Sequence, residues 1–154
     1  MVSVVTNLES EHLSTYDGNF QTLCKTFLEF LHNLPFYGLA ILNSDDKVLT
    51  DMLPKLNRRT LSFGFGSTAD YRIEKFERNG LFSQFKISRP NNQIPLSINL
   101  GMPGKHNVLN AAAAIAVASE EGIDDRFIKA GLENFQGVDR RFSRHGELSL
   151  HSGI

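Results

Sequence analysis

The amino-acid sequence predicts an α/β fold, in which a partial parallel sheet with crossover helices carries a small attached antiparallel sheet. Three short apolar runs within residues 1–65 alternate with segments of helical periodicity, and this order is typical of parallel strands joined by crossovers. From residue 70 to residue 100 the apolar residues follow the period of strands instead. We therefore expect antiparallel strands in this second region.

Each element of the first region has its own signal. Runs that are apolar and end at a polar or turn residue predict strands over residues 2–7, 37–43 and 59–65. Apolar side chains recur at helical spacing from residue 20 to residue 34, which predicts a helix that ends before a proline. The two aspartates that follow the second strand can cap a shorter helix.

The second region begins with two strands over residues 70–87, which meet at an Asn-Gly turn. Residues 94–100 alternate between apolar and polar types and predict a half-buried strand. A helix over residues 107–121 is apolar nearly all round, so we expect Ala111 to Ala114 to be buried. Asp124 caps a last helix.

Composition and charge exclude several functional classes. The 154 residues carry 16 Lys and Arg against 17 Asp and Glu, and this balance does not suit a protein that coats nucleic acid with cations. The single cysteine, Cys24, cannot form an internal disulfide, and its place on an apolar helical stripe predicts a core position. No apolar run approaches the ~18 residues of a membrane span, and the start has no signal-peptide pattern, so we expect a cytoplasmic protein.

Polar residues follow the first predicted strand. Asn7, Glu9 and His12 lie there, and ligands of α/β sheets bind at the carboxyl ends of strands. An imidazole among carboxylates can bind a metal ion or act as a base. A solvated loop explains the same residues from their spacing alone.

A second polar segment, over residues 101–110, leads into the alanine-rich helix. It is not a phosphate loop, since the sequence G-x-x-x-x-G-K-[ST] occurs nowhere in the 154 residues. Gly104 permits close backbone approach, and the N-terminus of a helix favours anions. Asn107 and Asn110 share a helical face, and amides suit the edges of purines. Ordinary capping polarity is the interpretation that these residues favour by themselves.

Two further segments attract attention. Asp139-Arg140-Arg141-Phe142 follows the last helix, and its paired arginines are either solvated or deliver a guanidinium group to a phosphate. Gly64-Phe65-Gly66 is interpreted as a turn and nothing more.

Taken together, four segments resemble the UDP-N-acetylmuramate–L-alanine ligases of the Mur ligase family. They read V-V-T-N-L-E-S-E-H from residue 4, F-L-E-F-L-H-N-L-P-F-Y-G from residue 27, G-K-H-N-V-L-N-A from residue 104, and N-F-Q-G from residue 134 with R-R-F from residue 140. The resemblance implies the Rossmann-like, P-loop-type fold of the family's central ATP-binding domain. It assigns the second half of that domain to residues 1–141, and the hinge and start of a C-terminal domain to residues 142–154. The family's phosphate loop and acidic metal-binding segment would lie upstream.

The resemblance also implies a metal and substrate site. Members of the family use ATP and Mg²⁺ to convert the muramoyl carboxylate into an acyl phosphate, which the amino acid then attacks. His12 would be a catalytic ligand of a magnesium ion, and Asn7 and Glu9 would line the same crevice as substrate contacts. Glu11 stands where the family commonly has Asp, so no detailed role follows for that carboxylate.

For the nucleotide, the resemblance implies contacts at two places. His106, Asn107 and Asn110 would contact the adenine end of ATP. Arg141 would reach the phosphates from the hinge and take part in catalysis. Lys105 stays open between a solvated loop lysine and a ligand of the nucleotide.

The expected function is part of a ligase that joins L-alanine to UDP-N-acetylmuramate in peptidoglycan synthesis, and the chain alone is expected to be inactive. One alternative is the ligase of the same family that reattaches a recycled tripeptide to UDP-N-acetylmuramate. Another is a nucleotide-binding module without catalysis. No nucleic acid or membrane is expected as a partner. The first strand is predicted to be a central strand with an open edge, so the chain can associate with itself there.

Overall fold

The computed structural model describes residues 1–8 and 19–137 of the chain. Their strands form one six-stranded sheet in the order β1-β2-β3-β4-β5-β6. The strands are β1 (Val2–Val5), β2 (Leu39–Asn43), β3 (Arg59–Gly64), β4 (Tyr71–Asn79), β5 (Phe82–Ser88) and β6 (Leu96–Leu100). The helices are α1 (Phe20–His32), α2 (Lys47–Met52), α3 (Lys105–Glu120) and α4 (Asp125–Asn134), and a 3-10 turn over Leu53–Lys55 follows α2.

The sheet is parallel in one part and antiparallel in the other. β1, β2, β3 and β4 pair in parallel, whereas β5 pairs antiparallel with both β4 and β6. The join between β3 and β4 is short and pairs Phe63 with Tyr71 and Gly64 with Arg72. The predicted parallel sheet with an attached antiparallel part is therefore confirmed, and the two parts are one continuous sheet.

Polar side chains begin three of the helices, and the sequence predicts the caps of two of them, α2 and α4. The Asn19 side chain accepts a hydrogen bond from the backbone N–H of Gln21 at 2.9 Å and so caps α1. Asp46 caps α2, and Asp124 caps α4. These carboxylates and this amide satisfy backbone donors that the first helical turn leaves unpaired. The starts of these helices are therefore determined locally.

The core lies on both faces of the sheet. All five residues of β2 are buried, as expected of a parallel strand with helices on both sides. Leu39 and Ile41 belong to a cluster with α3, whereas Ala40 and Leu42 belong to a cluster with α1 and α2. Successive side chains of a strand point to opposite faces, so these clusters are two separate layers.

The side chains of Ala111 to Ala114 and of Cys24 were predicted to lie in the core, and the structure buries them to different extents. Ala111, Ala112 and Ala113 are buried, but Ala114 is exposed, because one face of α3 is turned to solvent. Cys24 is partly buried and packs against the cluster of α1 and α2. Burial raises the pKa of the Cys24 thiol, which agrees with its interpretation as a core side chain.

β1 stands at one end of the sheet and, within the described residues, is hydrogen-bonded to β2 alone. Val4 is 38% exposed there. None of the described helices is long and apolar enough to cross a membrane. Glu9, His12, Arg141 and the predicted hinge over residues 142–154 lie outside the described residues.

Candidate functional site

A cleft of about 410 Å³ opens where the parallel strands β1 and β2 end and α3 begins. The carboxyl ends of parallel strands are where α/β proteins bind ligands. Its lining combines amides, carboxylates, an imidazole and an ammonium group with two apolar side chains. These residues are Thr6, Asn7, Asn43, Asp45, Asp46, Phe65, Lys105, His106, Leu109 and Asn110.

Asn43, the last residue of β2, ties the ends of two strands together. Its side chain is buried, and its Nδ2 donates to the backbone oxygen of Thr6 at 2.9 Å. Its Oδ1 accepts from the backbone N–H of Asp45 at 2.9 Å. Because a buried amide without partners would cost free energy, these bonds fix the floor of the cleft as a unit.

Asp46 joins the segment after β1 to the start of α2. One carboxylate oxygen caps α2 by accepting from the N–H groups of Val48 at 2.9 Å and Leu49 at 3.2 Å. The other accepts from the N–H of Leu8 at 2.9 Å. Asp46 therefore holds the backbone at Leu8 against the loop between β2 and α2. The segment that contains Glu9 and His12 follows directly after Leu8.

Asp45 holds the turn after β3. Its carboxylate accepts from the backbone N–H groups of Phe65 at 2.7 Å and Gly66 at 3.0 Å. Only glycine fits at position 64, since a Cβ built there would lie 2.8 Å from the carboxylate of Asp45. This close approach explains a glycine that the sequence analysis interpreted as part of an ordinary turn, and it brings Phe65 to the wall of the cleft.

The first turn of α3 carries the residues expected to contact a nucleotide. Its preceding residue, Gly104, has φ of +98°, and its N–H donates to the hydroxyl of the buried Ser83 at 3.1 Å. His106 and Asn110 both line the cleft, with His106 Nε2 3.4 Å from Asn110 Nδ2. Asn107 points elsewhere, because its Nδ2 donates to the backbone oxygen of Pro103 at 2.7 Å.

Lys105 is the first residue of α3 and also lines the cleft. Its Nζ lies 4.5 Å from the centroid of the Phe65 ring, within the range of a cation–π interaction. The ring of Phe65 in turn packs edge-on against Phe76, with centroids 5.9 Å apart. The Lys105 ammonium group therefore contacts a ring that is itself held by packing against Phe76.

The structure brings together only some of the predicted site residues. Asn7 lines the cleft beside His106 and Asn110, which belong to a different part of the chain. Glu9, His12 and Arg141 lie outside the described residues, so their roles stay predictions.

Besides Lys105, whose role the sequence left open, six residues of the cleft were not among the predicted site residues: Thr6, Asn43, Asp45, Asp46, Phe65 and Leu109. A signal for three of them was present, because a polar segment follows the second parallel strand as one follows the first. The rule that pointed to the end of β1 applies equally to the end of β2. Phe65 gave no such signal, since its place depends on a contact with Asp45 from 20 residues away.

The described residues contain no larger cluster of metal-binding side chains. Within residues 1–8 and 19–137 no group of three or more His, Cys, Asp or Glu side chains could hold a metal ion. Asp45 and Asp46 are the two carboxylates of the cleft, and both accept hydrogen bonds from backbone N–H groups. The predicted ligand, His12, lies outside these ranges.

Solved structures of Mur ligases share this fold. MurF from Acinetobacter baumannii superposes with a TM-score of 0.78 at 27% identity, covering 90% of this chain and 30% of that one. UDP-N-acetylmuramate-alanine ligase MurC from Thermotoga maritima gives a TM-score of 0.75 at 26% identity, covering 92% of this chain and 30% of that one. MurF ligase from Thermotoga maritima, solved in complex with ADP, gives 0.74 at 23% identity, covering 92% of this chain and 32% of that one.

The Acinetobacter baumannii MurF and the Thermotoga maritima MurC, both more than 25% identical to this chain, are different ligases, so these comparisons do not single out one amino-acid substrate. The chain spans about a third of the length of each of these proteins. The family model of the Mur ligase middle domain matches residues 1–118, most of the chain. By this match, and in agreement with the sheet and the cleft described above, the chain belongs to the Mur ligase middle domain family.

Proposed function

We propose that this chain supplies the nucleotide-binding cleft of a Mur ligase, an enzyme that uses ATP to add an amino acid to a UDP-muramoyl precursor of peptidoglycan. The finer proposal is that the amino acid is L-alanine and the acceptor is UDP-N-acetylmuramate. The four segments quoted from the sequence support this choice. Residues 1–141 would form the second half of the middle domain, and residues 142–154 would begin the next one.

The observation that carries the proposal is that His106, Leu109 and Asn110 line one cleft at the carboxyl edge of the sheet. An imidazole and an amide can hydrogen-bond the edge of an adenine ring, while the apolar side chain of Leu109 can pack against one of its faces. A Thermotoga maritima MurF of the same fold was solved with ADP. Asn107 would act indirectly, since its amide fixes the backbone at Pro103, just before α3.

The remaining roles rest on the resemblance. His12 would bind a magnesium ion, Glu9 and Asn7 would contact the substrate, and Arg141 would reach the phosphates. Of these, Asn7 lines the cleft. When bound, magnesium would neutralise phosphate charge.

Nucleotide binding by the 154-residue chain tests the proposal directly. Isothermal titration should show that the chain binds ATP more tightly than GTP. Asn110→Leu removes the amide from the cleft, so the affinity for ATP should fall about three- to tenfold, as expected for one lost hydrogen bond of about 1 kcal/mol. The preference for ATP over GTP should shrink as well.

Asn134→Leu is the matched control, because Asn134 is an exposed residue at the end of α4 and does not line the cleft. It should leave both affinities unchanged. If the chain with its native sequence binds neither nucleotide, the proposed function is wrong. Equal losses in the two variants would show that Asn110 does not contact the base.

Catalysis is expected to be absent from this chain alone. The 154 residues include no G-x-x-x-x-G-K-[ST] sequence, the motif whose backbone cradles the β- and γ-phosphates in P-loop proteins. Phosphate release with ATP, Mg²⁺, UDP-N-acetylmuramate and L-alanine should equal that of a heat-denatured sample. An enzyme that carries this segment should release phosphate with L-alanine; release with the tripeptide instead would favour the recycling ligase.

Self-association through the edge of β1 is a further part of the proposal. β1 pairs on one side within the described residues, and Val4 is exposed beside that edge. Unpaired backbone N–H and C=O groups of an edge strand can pair with another chain. Light scattering after size exclusion should therefore show dimers at micromolar concentration, which Val4→Lys should reduce. A monodisperse monomer would contradict this expectation.

A further inference from the structure

The contact between Phe65 and Lys105 connects two segments of the cleft wall that are 40 positions apart in sequence. Lys105 Nζ lies 4.5 Å from the centroid of the Phe65 ring. A lysine side chain is flexible in solution, and contact with an aromatic face restricts where its charge can be. The position of this ammonium group therefore depends on the position of Phe65.

Asp45 determines the position of Phe65. Its two carboxylate oxygens accept from the N–H groups of Phe65 and Gly66, at 2.7 and 3.0 Å. The backbone N–H of Asp45 is itself held by the buried Asn43 at 2.9 Å. Hydrogen bonds to an ionised carboxylate are shorter and stronger than neutral ones, so this turn is well fixed.

The charges of the cleft favour a role for Lys105 toward an anion. Lys105 is the only Lys or Arg that lines the cleft in the described part of the chain. The carboxylates of Asp45 and Asp46 lie nearby, but their oxygens accept from backbone N–H groups. The ammonium group is thus the cation of the cleft that is left to meet a ligand's negative charge.

We propose that Lys105 contacts the phosphate chain of the bound nucleotide, and that Asp45 is a positioning residue that holds Lys105 in place through Phe65. This inference rests on the proposed nucleotide site. A cation that is already held where the phosphate will lie loses less conformational freedom on binding. Asp45, although acidic, therefore strengthens the binding of an anion.

The test compares ATP with adenosine, which has the same base and ribose but no phosphate. Titrations of the complete 154-residue chain should show that Lys105→Met and Asp45→Ala each lower the affinity for ATP about three- to tenfold, the effect of one charged contact. Adenosine affinity should stay within about twofold in both variants. The double variant should bind ATP no more weakly than Lys105→Met, because both changes act on one contact.

Phe65→Leu provides a second variant that keeps the backbone bonds to Asp45 and removes the aromatic face. This variant should lower the affinity for ATP by the same factor and leave the affinity for adenosine unchanged. It tests the inference even if Asp45→Ala fails to fold. Lys47→Met and Asp51→Ala are the matched controls, because both residues are exposed on α2 and neither lines the cleft. Neither control should change the affinity for either ligand.

The outcomes separate this inference from the proposed function. If the native chain binds neither ATP nor adenosine, the nucleotide site is wrong and the inference fails with it. If the native chain binds ATP and Lys105→Met binds it equally well, the site stands and the role of Lys105 is wrong. Additive losses in the double variant, or equal losses for adenosine, would show that Asp45 does not act through Lys105.

Discussion

Both ends of α3 carry polar side chains, but these side chains have different surroundings at the two ends. At its start, Lys105, His106 and Asn110 border an open cleft. At its end, Glu120 is engaged on both carboxylate oxygens, by Tyr71 Oη and by Arg59 Nη2, each at 3.0 Å. Sixteen helical residues span about 24 Å at ~1.5 Å per residue, so the two ends are independent environments.

At its C-terminal end, α3 is connected to α4 by the side chain of Arg89, which bonds to both helices. The Arg89 side chain is 4% exposed and forms two hydrogen bonds to the Asp125 carboxylate, at 2.8 and 2.9 Å. Its guanidinium also donates to the backbone oxygen of Ile94 and to the Ser119 hydroxyl. We call Arg59, Tyr71, Arg89, Glu120 and Asp125 the α3–α4 clamp.

The two ends of α3 differ in whether their polar side chains can still contact a ligand. In the clamp, the largely buried Tyr71, Arg89 and Glu120 are hydrogen-bonded to one another's elements and to the more exposed Arg59 and Asp125, so their contribution is to stability and to the fit of α3, α4 and the sheet. In the cleft, the carboxylates hold backbone turns while the exposed Lys105 and His106 border open space. Changes in the clamp should therefore alter stability without altering nucleotide binding, and changes in the cleft should lower binding.

Asp125→Ala should have the largest effect on stability, because it leaves the Arg89 guanidinium buried without its carboxylate partner. Breaking a buried pair costs about 3–5 kcal/mol, and the partial exposure of Asp125 reduces this to about 2–3 kcal/mol. Urea unfolding followed by circular dichroism at pH 7 should show this loss, whereas Asp51→Ala on α2 should not. ATP affinity should be unchanged, and a loss of affinity would contradict the separation of the two ends.

The stability cost of Asp125→Ala should depend on pH and should be smaller in acid. Hydrogen bonds from Arg89 lower the pKa of Asp125. The stability that this carboxylate contributes is present above the ordinary aspartate pKa of about 3.9 and is lost as the pH falls through the lowered value. The difference in unfolding free energy between the native chain and Asp125→Ala should therefore shrink on going from pH 7 to pH 3. A constant difference would show that the charge is not involved.

Gly64→Ala tests the cleft with a single methyl group. A Cβ at this position meets the Asp45 carboxylate at 2.8 Å, so either the carboxylate must move away from the N–H groups that it accepts from or the turn must shift, at a cost of about 1–2 kcal/mol. ATP affinity should fall together with stability. Gly131→Ala is the matched control in α4, where a Cβ meets nothing within 4 Å; it should add about 0.5–1 kcal/mol of stability and leave binding unchanged. A Gly64→Ala chain with native ATP affinity would show that the turn does not shape the site.

The elements of the fold could be predicted from the sequence because their signals are local. The apolar period and the proline after α1 predict that helix, and the aspartates after β2 and before α4 predict two caps that the structure confirms in Asp46 and Asp124. Each of these signals lies within a few residues of the element it determines. Strand ends differ from the prediction by one or two residues, since pairing with neighbours decides where a ladder stops.

The contacts that build the cleft and the clamp could not be predicted in this way. Asp45 and Phe65 are 20 residues apart, and Arg89 and Asp125 are 36 apart. No local pattern marks such a pair, because each partner alone resembles an ordinary surface residue. The cleft was located only in part, through Asn7, His106 and Asn110, while the roles of Glu9, His12 and Arg141 stay predictions.

Tyr71→Phe should have the smallest effect and tests the other half of the clamp. Burial, and then the hydrogen bond to Glu120, raise the pKa of Tyr71 above its ordinary value. The stability held by its neutral hydroxyl is fully present below about pH 10 and is lost as the pH rises further. Tyr71→Phe should cost about 1 kcal/mol at pH 8, and this difference should narrow by pH 11. Tyr37→Phe, at a tyrosine that is 70% exposed, controls for alkaline effects elsewhere, including those of Cys24. If Tyr71→Phe lowers the free energy of unfolding by the same amount at pH 8 and at pH 11, the pKa of Tyr71 does not differ between the folded and the unfolded chain.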